Sequence, residues 1–264
     1  MSDRYAVIGN PVAHSRSPAI HAEFARATGQ DIDYGRIEAP LDAFALAVER
    51  FRLSDGKGLN VTLPFKHEAF QLCARRSERA LLAQAVNTIR FDDSYGDNTD
   101  GIGLIRDFSQ NVKLPLNGKS VLLLGAGGAA QGVVGALLEA GVARLVIANR
   151  TVAKAKALAA RFPGASACGY DALGSEGFDI VINATSAGLA GAAPPLPDGM
   201  LNKSTLAYDM VYGRDTPFLA AARKAGARAS DGLGMLVEQA AESFFLWRGV
   251  RPATQPVLAK LRGS

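Results

Sequence analysis

Two charged side chains among the first hundred residues sit where proton chemistry would need them. In Asn60-Val-Thr-Leu-Pro-Phe-Lys66 an apolar strand runs into a proline-started helix, which puts Lys66 in the first helical turn. A cation there meets the positive end of the helix dipole. A local rule broken without structural gain points to function. Asp97-Asn-Thr-Asp-Gly101 precedes another helix. Asp100 or Thr99 can serve that helix as N-cap, the commonest use of such residues, and Asp100 can also partner Lys66. Asn87, in Val86-Asn87-Thr88 at a strand end, suits a polyol ligand. Gly9-Asn-Pro-Val-Ala-His-Ser-Arg-Ser-Pro18 sets Ser15 and Ser17 at a helix N-terminus. Two hydroxyls plus the helix dipole suit a carboxylate; the alternative is a capping Ser17 with an idle Ser15. His14 reads as a loop residue rather than a base.

A second cluster lies in mid-chain. Gly125-Ala-Gly-Gly-Ala-Ala130 follows an apolar strand and opens a helix, a GxGxxA pattern with Ala in the third glycine place. Gly125 permits the tight turn, Gly127 lets backbone approach a pyrophosphate, and the helix N-terminus offers free N–H groups. A site for NAD ends the following strand on a carboxylate about 20 residues further on. Here that strand ends Ala148-Asn149-Arg150-Thr151, with Lys154 one turn later. A carboxylate would repel a 2′-phosphate, whereas Arg150 can pair with it bidentately, so the cofactor expected is NADP. Asn183-Ala-Thr-Ser-Ala-Gly188 follows another strand end, where open α/β sheets bind ligands; Thr185 is its candidate cofactor residue. Met210, at the next strand end, can pack on a nicotinamide ring or simply fill core.

These residues need a frame. Short apolar runs predict strands at Tyr5–Gly9, Leu59–Thr62 and Ala85–Phe91. Helices are expected from Ser17-Pro18 to Gly29, along Leu41, Phe44, Val48 and Phe51, from Pro64, and over about 100–109 after a polar turn from Asp92 to Thr99. Pro115-Leu116-Asn117-Gly118 reads as a linker. Beyond it, strands at Ser120–Leu124, Leu145–Ala148, Asp179–Asn183 and Leu206–Met210 alternate with helices near 129–140, 151–161 and 216–225. Such alternation implies a parallel sheet covered on both faces. A long apolar helix from Met235 to Trp247 and a short one after Pro252 or Pro256 end the chain.

Composition narrows the function. With 264 residues, 48% hydrophobic and 20% charged, the chain is globular rather than disordered. The net charge of +4 comes from basic residues spread singly or in pairs such as Arg75-Arg76. That spread argues against nucleic acid and allows small anions. Cys73 and Cys168 form no framework, and His14, His21 and His67 lack cysteine partners at zinc spacing, so no metal is expected. The N-terminus lacks signal-peptide regions. The uncharged run 120–138 contains five glycines and Gln131, so it reads as strand, turn and helix, not a membrane span. A cytoplasmic protein with no membrane partner is expected.

The motifs together resemble the shikimate dehydrogenase family. They are the runs 9–18, 60–66, Asn98-Thr-Asp-Gly101, 125–130, Asn149-Arg-Thr151, 183–188, Asp209-Met-Val-Tyr-Gly213, Thr216-Pro-Phe-Leu219 and Gly232-Leu-Gly-Met-Leu-Val-Glu-Gln-Ala-Ala241. They occur in order over nearly the whole chain. The resemblance implies an α/β fold of two domains with a cleft between them. An N-terminal α/β substrate domain would take 1–103 plus 235–264, and a Rossmann-type doubly wound NADP domain 104–234. It implies NADPH-dependent reversible reduction of 3-dehydroshikimate to shikimate, with Lys66 and Asp100 as the catalytic pair. Ser15 and Ser17 would hold the carboxylate. Asn60, Thr62, Asn87 and Gln239 would bind hydroxyls, and Tyr212 would line the substrate end of the cleft. Gly125, Ala126, Gly127, Gly128, Ala129, Ala130, Asn149, Arg150, Thr151, Lys154, Thr185, Met210 and Gly232 would take NADP. The family often has Arg where Lys154 stands. The resemblance also admits a quinate/shikimate dehydrogenase of broader substrate or NAD use, and a non-catalytic NADP-binding sensor. A methylenetetrahydrofolate dehydrogenase type is a further rival, but it needs a pterin-stacking site. A monomer or homodimer is expected.

Overall fold

The computed structural model describes residues 2–174, 176–185, 187 and 191–263. The chain forms two compact units, Met1–Gly103 with Leu236–Ser264, and Leu104–Met235.

The first unit is built on β1 (Asp3–Gly9), α1 (Ser17–Thr28), β2 (Ile32–Glu38), α2 (Phe44–Leu53), β3 (Gly56–Val61), α3 (Lys66–Leu72), β4 (Arg75–Arg76), α4 (Glu78–Ala83), β5 (Thr88–Arg90) and β6 (Tyr95–Asp97). α5 (Asp100–Asp107) leads out of it. Most of α9 (Leu233–Arg248) and all of α10 (Gln255–Arg262) rejoin it. Its sheet runs β2-β1-β3-β5-β6-β4. β1 is parallel to β2 and β3, whereas β5 is antiparallel to β3 and β6. Ile8, Phe44, Leu59, Val61 and Phe65 fill one core. An aromatic group of His21, Phe24, Tyr34, Phe244 and Trp247 packs α1, β2 and α9 together.

Several expectations shift. α1 starts at Ser17 with Pro18 in its first turn, and Gly29 closes it at φ 66°. Arg16 stands at the N-cap position without a capping side chain; Ser17 is the first helical residue, and its N–H donates to Ser15 Oγ at 3.3 Å. Leu41 lies outside α2 and is 65% exposed. The helix after Pro64 begins only at Lys66. β2, β4, β6 and α4 carry no apolar run that would announce them. β6 lies inside the stretch expected as a polar turn, because pairing with β5, not local propensity, makes it a strand. Gly96 serves that pairing layer by close approach: a Cβ there would sit 2.6 Å from Cys73 Sγ.

The second unit holds β7 (Ser120–Leu124), α6 (Gly128–Glu139), β8 (Arg144–Ala148), α7 (Val152–Ala159), β9 (Ala165–Cys168), β10 (Ile180–Asn183), β11 (Leu206–Asp209), α8 (Pro217–Lys224) and β12 (Arg228–Asp231). Its sheet is parallel throughout, in the order β12-β11-β10-β7-β8-β9. Numbered from β7 this is 3-2-1-4-5-6, the doubly wound dinucleotide-binding order. Both faces are buried: Val121 and Leu123 meet one core, Leu122 and Leu124 the other. That explains β7's unbroken apolar run. The edge strands β9 and β12 lack such a run and escape prediction. Pro115–Gly118 is no linker. Leu116 is buried in the core of this unit, and the Gly118 N–H bonds the Gly141 carbonyl at 2.8 Å. The helix expected over 100–109 is α-helical to Asp107 and continues as a π-turn, Phe108–Val112. The run 120–138 is β7, turn and α6, and among the described residues no helix is long and apolar enough to cross a membrane.

Candidate active site

Lys66 and Asp100 meet. Lys66 Nζ donates to Asp100 Oδ2 at 2.5 Å, and their side chains are 12% and 8% exposed. Both stand at helix N-termini, of α3 and α5. A carboxylate is favoured there and an ammonium is not, so Asp100 supplies the compensation that Lys66 lacks locally. The turn before α5 explains how Asp100 is aimed. Asn98 Oδ1 accepts from the Asp100 N–H at 3.1 Å, and Asn98 Nδ2 donates to the Ala85 carbonyl at 3.0 Å. Local capping therefore falls to Asn98. Thr99 Oγ1 and both Asp100 oxygens are turned to other partners.

Around this pair lies a buried polar network. Asn87 Nδ2 donates to Asp100 Oδ1 at 2.9 Å and approaches Thr99 Oγ1 at 3.0 Å and Gln239 Oε1 at 3.3 Å. Asn87 Oδ1 accepts from the Thr99 N–H at 2.9 Å. Asn60 Nδ2 reaches Ser243 Oγ at 2.9 Å and Thr88 Oγ1 at 3.1 Å, while Asn60 Oδ1 accepts from Tyr34 at 2.7 Å. Gln239 reaches the network from α9, and Gly103 is what lets it: a Cβ at Gly103 would lie 2.6 Å from Gln239 Cβ. Behind the turn, the Asp97 carboxylate, 1% exposed, accepts from Ser77, from the Asn98 N–H and twice from Arg79. Arg79 also reaches Glu242 of α9 at 3.1 Å. Paired charges are what make burial of that carboxylate tolerable.

Ser15 and Ser17 are buried side by side, with Ser15 Oγ donating to Ser17 Oγ at 3.2 Å. Tyr34 lies beside them, stacked on His21 at 4.1 Å and 5°. Burial pushes the Tyr34 phenol well up, while a hydrogen bond to Ser17 and the charge of Arg36 pull the other way. Burial pushes the His21 imidazole down to about 3, with Asn60 opposing weakly. Thr62 is half-buried just past β3, its methyl against Gly9, where a Cβ would collide with it. His14 is exposed in the loop. Sequence reasoning passes over Tyr34, Thr88, Thr99 as a network member and Ser243. Thr88 and Thr99 adjoin candidate residues, but Tyr34 and Ser243 join only through β2 and α9, which no local pattern links to Asn60.

The second unit carries the other candidates. Gly125 takes φ 108°, and a Cβ there would sit 3.1 Å from the Ala184 carbonyl oxygen; at Gly127 a Cβ would meet nothing within 4 Å. The turn is thus closed on the sheet side and open on the other. Gly128 and Ala129 form the first turn of α6, which has no side-chain cap, so its N–H groups remain free. Ala126 and Ala130 are buried and serve packing. Arg150, Thr151 and Lys154 are exposed around the uncapped start of α7, and no carboxylate among the described residues pairs with either cation. Asn149 Nδ2 donates to the Thr151 carbonyl at 2.9 Å, shaping that turn. Free amides plus these two cations fit a pyrophosphate and a further phosphate, which is the donor set NADP requires. Thr185 folds back on Asn183 Oδ1 at 2.7 Å. Ser186 and Gly188 of that loop lie outside the described residues. Met210 packs on the core from a half-exposed position, and a Cβ on Gly232 would strike the Met210 carbonyl oxygen at 2.5 Å. Tyr212 belongs to this unit too, just beyond β11.

The chain is similar to known proteins over nearly its whole length. Residues 7–89 match the shikimate dehydrogenase substrate binding domain, 108–191 the shikimate / quinate 5-dehydrogenase family, and 232–262 the shikimate 5'-dehydrogenase C-terminal domain. The shikimate dehydrogenase (NADP(+)) of Aromatoleum aromaticum is 61% identical over 270 residues, spanning 98% of this chain and 97% of that protein. The Ael1 enzyme of Pseudomonas putida has a crystal structure similar at TM-score 0.92 and 52% identity over 98% of each chain. Shikimate 5-dehydrogenase of Thermus thermophilus, solved with NADP(H) and shikimate, gives 0.88 and 35% over 98% of each. Matches reaching from residue 7 to residue 262, at such identity and coverage, make this chain a member of the shikimate dehydrogenase family.

Proposed function

We propose that this chain interconverts 3-dehydroshikimate and shikimate, reducing the ketone with NADPH. The Lys66–Asp100 pair carries the reading: a nearly buried ammonium held on a carboxylate within a net of hydrogen-bonding side chains. The hydride for the ketone carbon comes from NADPH when it is bound. Lys66 donates the proton to the ketone oxygen as charge develops there. Asp100 keeps the ammonium aimed and takes a hydrogen bond from Asn87, so its own orientation is set from two sides. In the reverse direction Lys66 takes the alcohol proton. Asn87, Gln239, Thr62 and Asn60 receive the ring hydroxyls. Ser15 turns its hydroxyl proton from Ser17 to the carboxylate, and the Ser17 hydroxyl donates beside it.

On this reading the first unit is the substrate domain. The second binds NADP through Gly125 to Ala130 and through Asn149, Arg150, Thr151 and Lys154, with Thr185, Met210, Tyr212 and Gly232 completing the set. All these residues come from one chain, so a monomer suffices and a homodimer needs no shared site. A cytoplasmic location agrees with two free cysteines, one buried. The test is absorbance at the NADPH band with shikimate and quinate, each with NADP and NAD. Fast turnover of shikimate with NADP is expected; faster turnover of quinate, or with NAD, overturns the assignment.

A further inference from the structure

We propose that Arg36, on the edge strand β2, is a positioning residue for the substrate carboxylate, fastening the Ser15 loop and adding an uncompensated positive charge beside it. This rests on the reading that Ser15 and Ser17 receive a carboxylate.

Arg36 Nε and Nη2 both donate to the Ser15 carbonyl oxygen, at 3.1 and 2.6 Å. Side chains two apart on a strand share a face. Tyr34 on that face stacks on His21 of α1, so Arg36 faces the start of the same helix. The guanidinium's charge opposes the burial that raises the Tyr34 phenol, so the charge acts on that strand face as well as on the Ser15 main chain. Among the described residues no carboxylate pairs with Arg36. Arg16, the arginine between the two serines, points elsewhere: its Nη1 donates to the Leu261 carbonyl at 3.1 Å. Without Arg36 an anion would meet only neutral hydroxyls and a helix N-terminus. With it, the loop is pinned through its main chain while the Ser15 and Ser17 hydroxyls stay free to turn. A bidentate grip on one oxygen with a fixed charge is a guanidinium's geometry, which a lysine reproduces only as a point charge.

The experiment compares shikimate with its neutral methyl ester in the wild-type enzyme and in Arg36→Gln and Arg36→Lys. Hydrogen bonds and fields from a charged group imply a rise of about tenfold or more in the KM of Arg36→Gln for shikimate. The effect falls on KM rather than on kcat, the KM for the ester barely moves, and Arg36→Lys recovers part of the loss. An equal rise for acid and ester, with no recovery in Arg36→Lys, means a merely structural role and overturns the proposal. So does an unchanged KM in Arg36→Gln. A wild-type enzyme that does not prefer acid to ester removes the carboxylate reading itself, and the proposal with it.

Discussion

At the scale of single residues, the proposed chemistry rests on the Lys66–Asp100 ion pair, and the proposed cofactor preference on Arg150, which no carboxylate among the described residues neutralises. Lys66 at the start of α3 is costly until Asp100 is added at 2.5 Å. Proton transfer by a positioned side chain is worth about 10²–10⁴-fold. Lys66→Ala therefore lowers kcat by that order while NADPH binding, followed by fluorescence titration, stays near wild type. Near-wild-type turnover would remove Lys66 from the mechanism. Arg150 stands exposed before α7, and on the proposed reading it meets the 2′-phosphate. A charge-assisted hydrogen bond is worth about ten- to a hundredfold in binding. Arg150→Ala should weaken NADPH by about that factor and leave NADH nearly unchanged; equal losses for both would speak against a 2′-phosphate contact.

At the scale of elements, the network depends on how closely α9 approaches α5. Gly103 sets that distance, because any Cβ there would collide with the Cβ, the main-chain nitrogen and the Cα of Gln239. Gly103→Ala pushes α9 outward and takes Gln239 from Asn87 and Thr99. Overpacking of this kind costs about 1–3 kcal/mol. The expected result is a lower midpoint in urea together with a higher KM for shikimate. A variant with unaltered KM would show that Gln239 is not needed where it stands. The Asp97–Arg79–Glu242 group ties α9 to β6 and α4, so α9 is held by charge there and by close contact at Gly103.

At the scale of the whole molecule, His21 couples stability to pH. Its folded-state value lies near 3 against 6.5 for a free imidazole. Above 6.5 both states are neutral and nothing is lost. As pH falls from 6.5 toward 3 the unfolded chain takes up a proton that the folded chain refuses. Stability then drops, by up to about 1.4 kcal/mol per pH unit from this group. Urea unfolding at about pH 7, 6 and 5 should show His21→Leu losing less stability on acidification than the wild type. Parallel slopes for the two proteins would mean that His21 is protonated in the fold.

What could be seen in the residues alone were features of local cause. The glycine turn at 125–127, the apolar run of β7, Pro18 and Gly29 at the two ends of α1, and Lys66 in a first helical turn each follow from sterics or hydrophobic burial within a few residues. The ordered motifs added the doubly wound order of the second sheet. Hidden were features whose cause lies across the fold. β2 and β6 become strands only by pairing, Pro115–Gly118 turns inward because Leu116 has a core to enter, and Asn98 takes the capping role from Asp100. Tyr34, Arg36 and Ser243 joined the site for the same reason. Their neighbours in space come from elements far apart in the chain, and non-local contacts leave no periodic trace in a sequence.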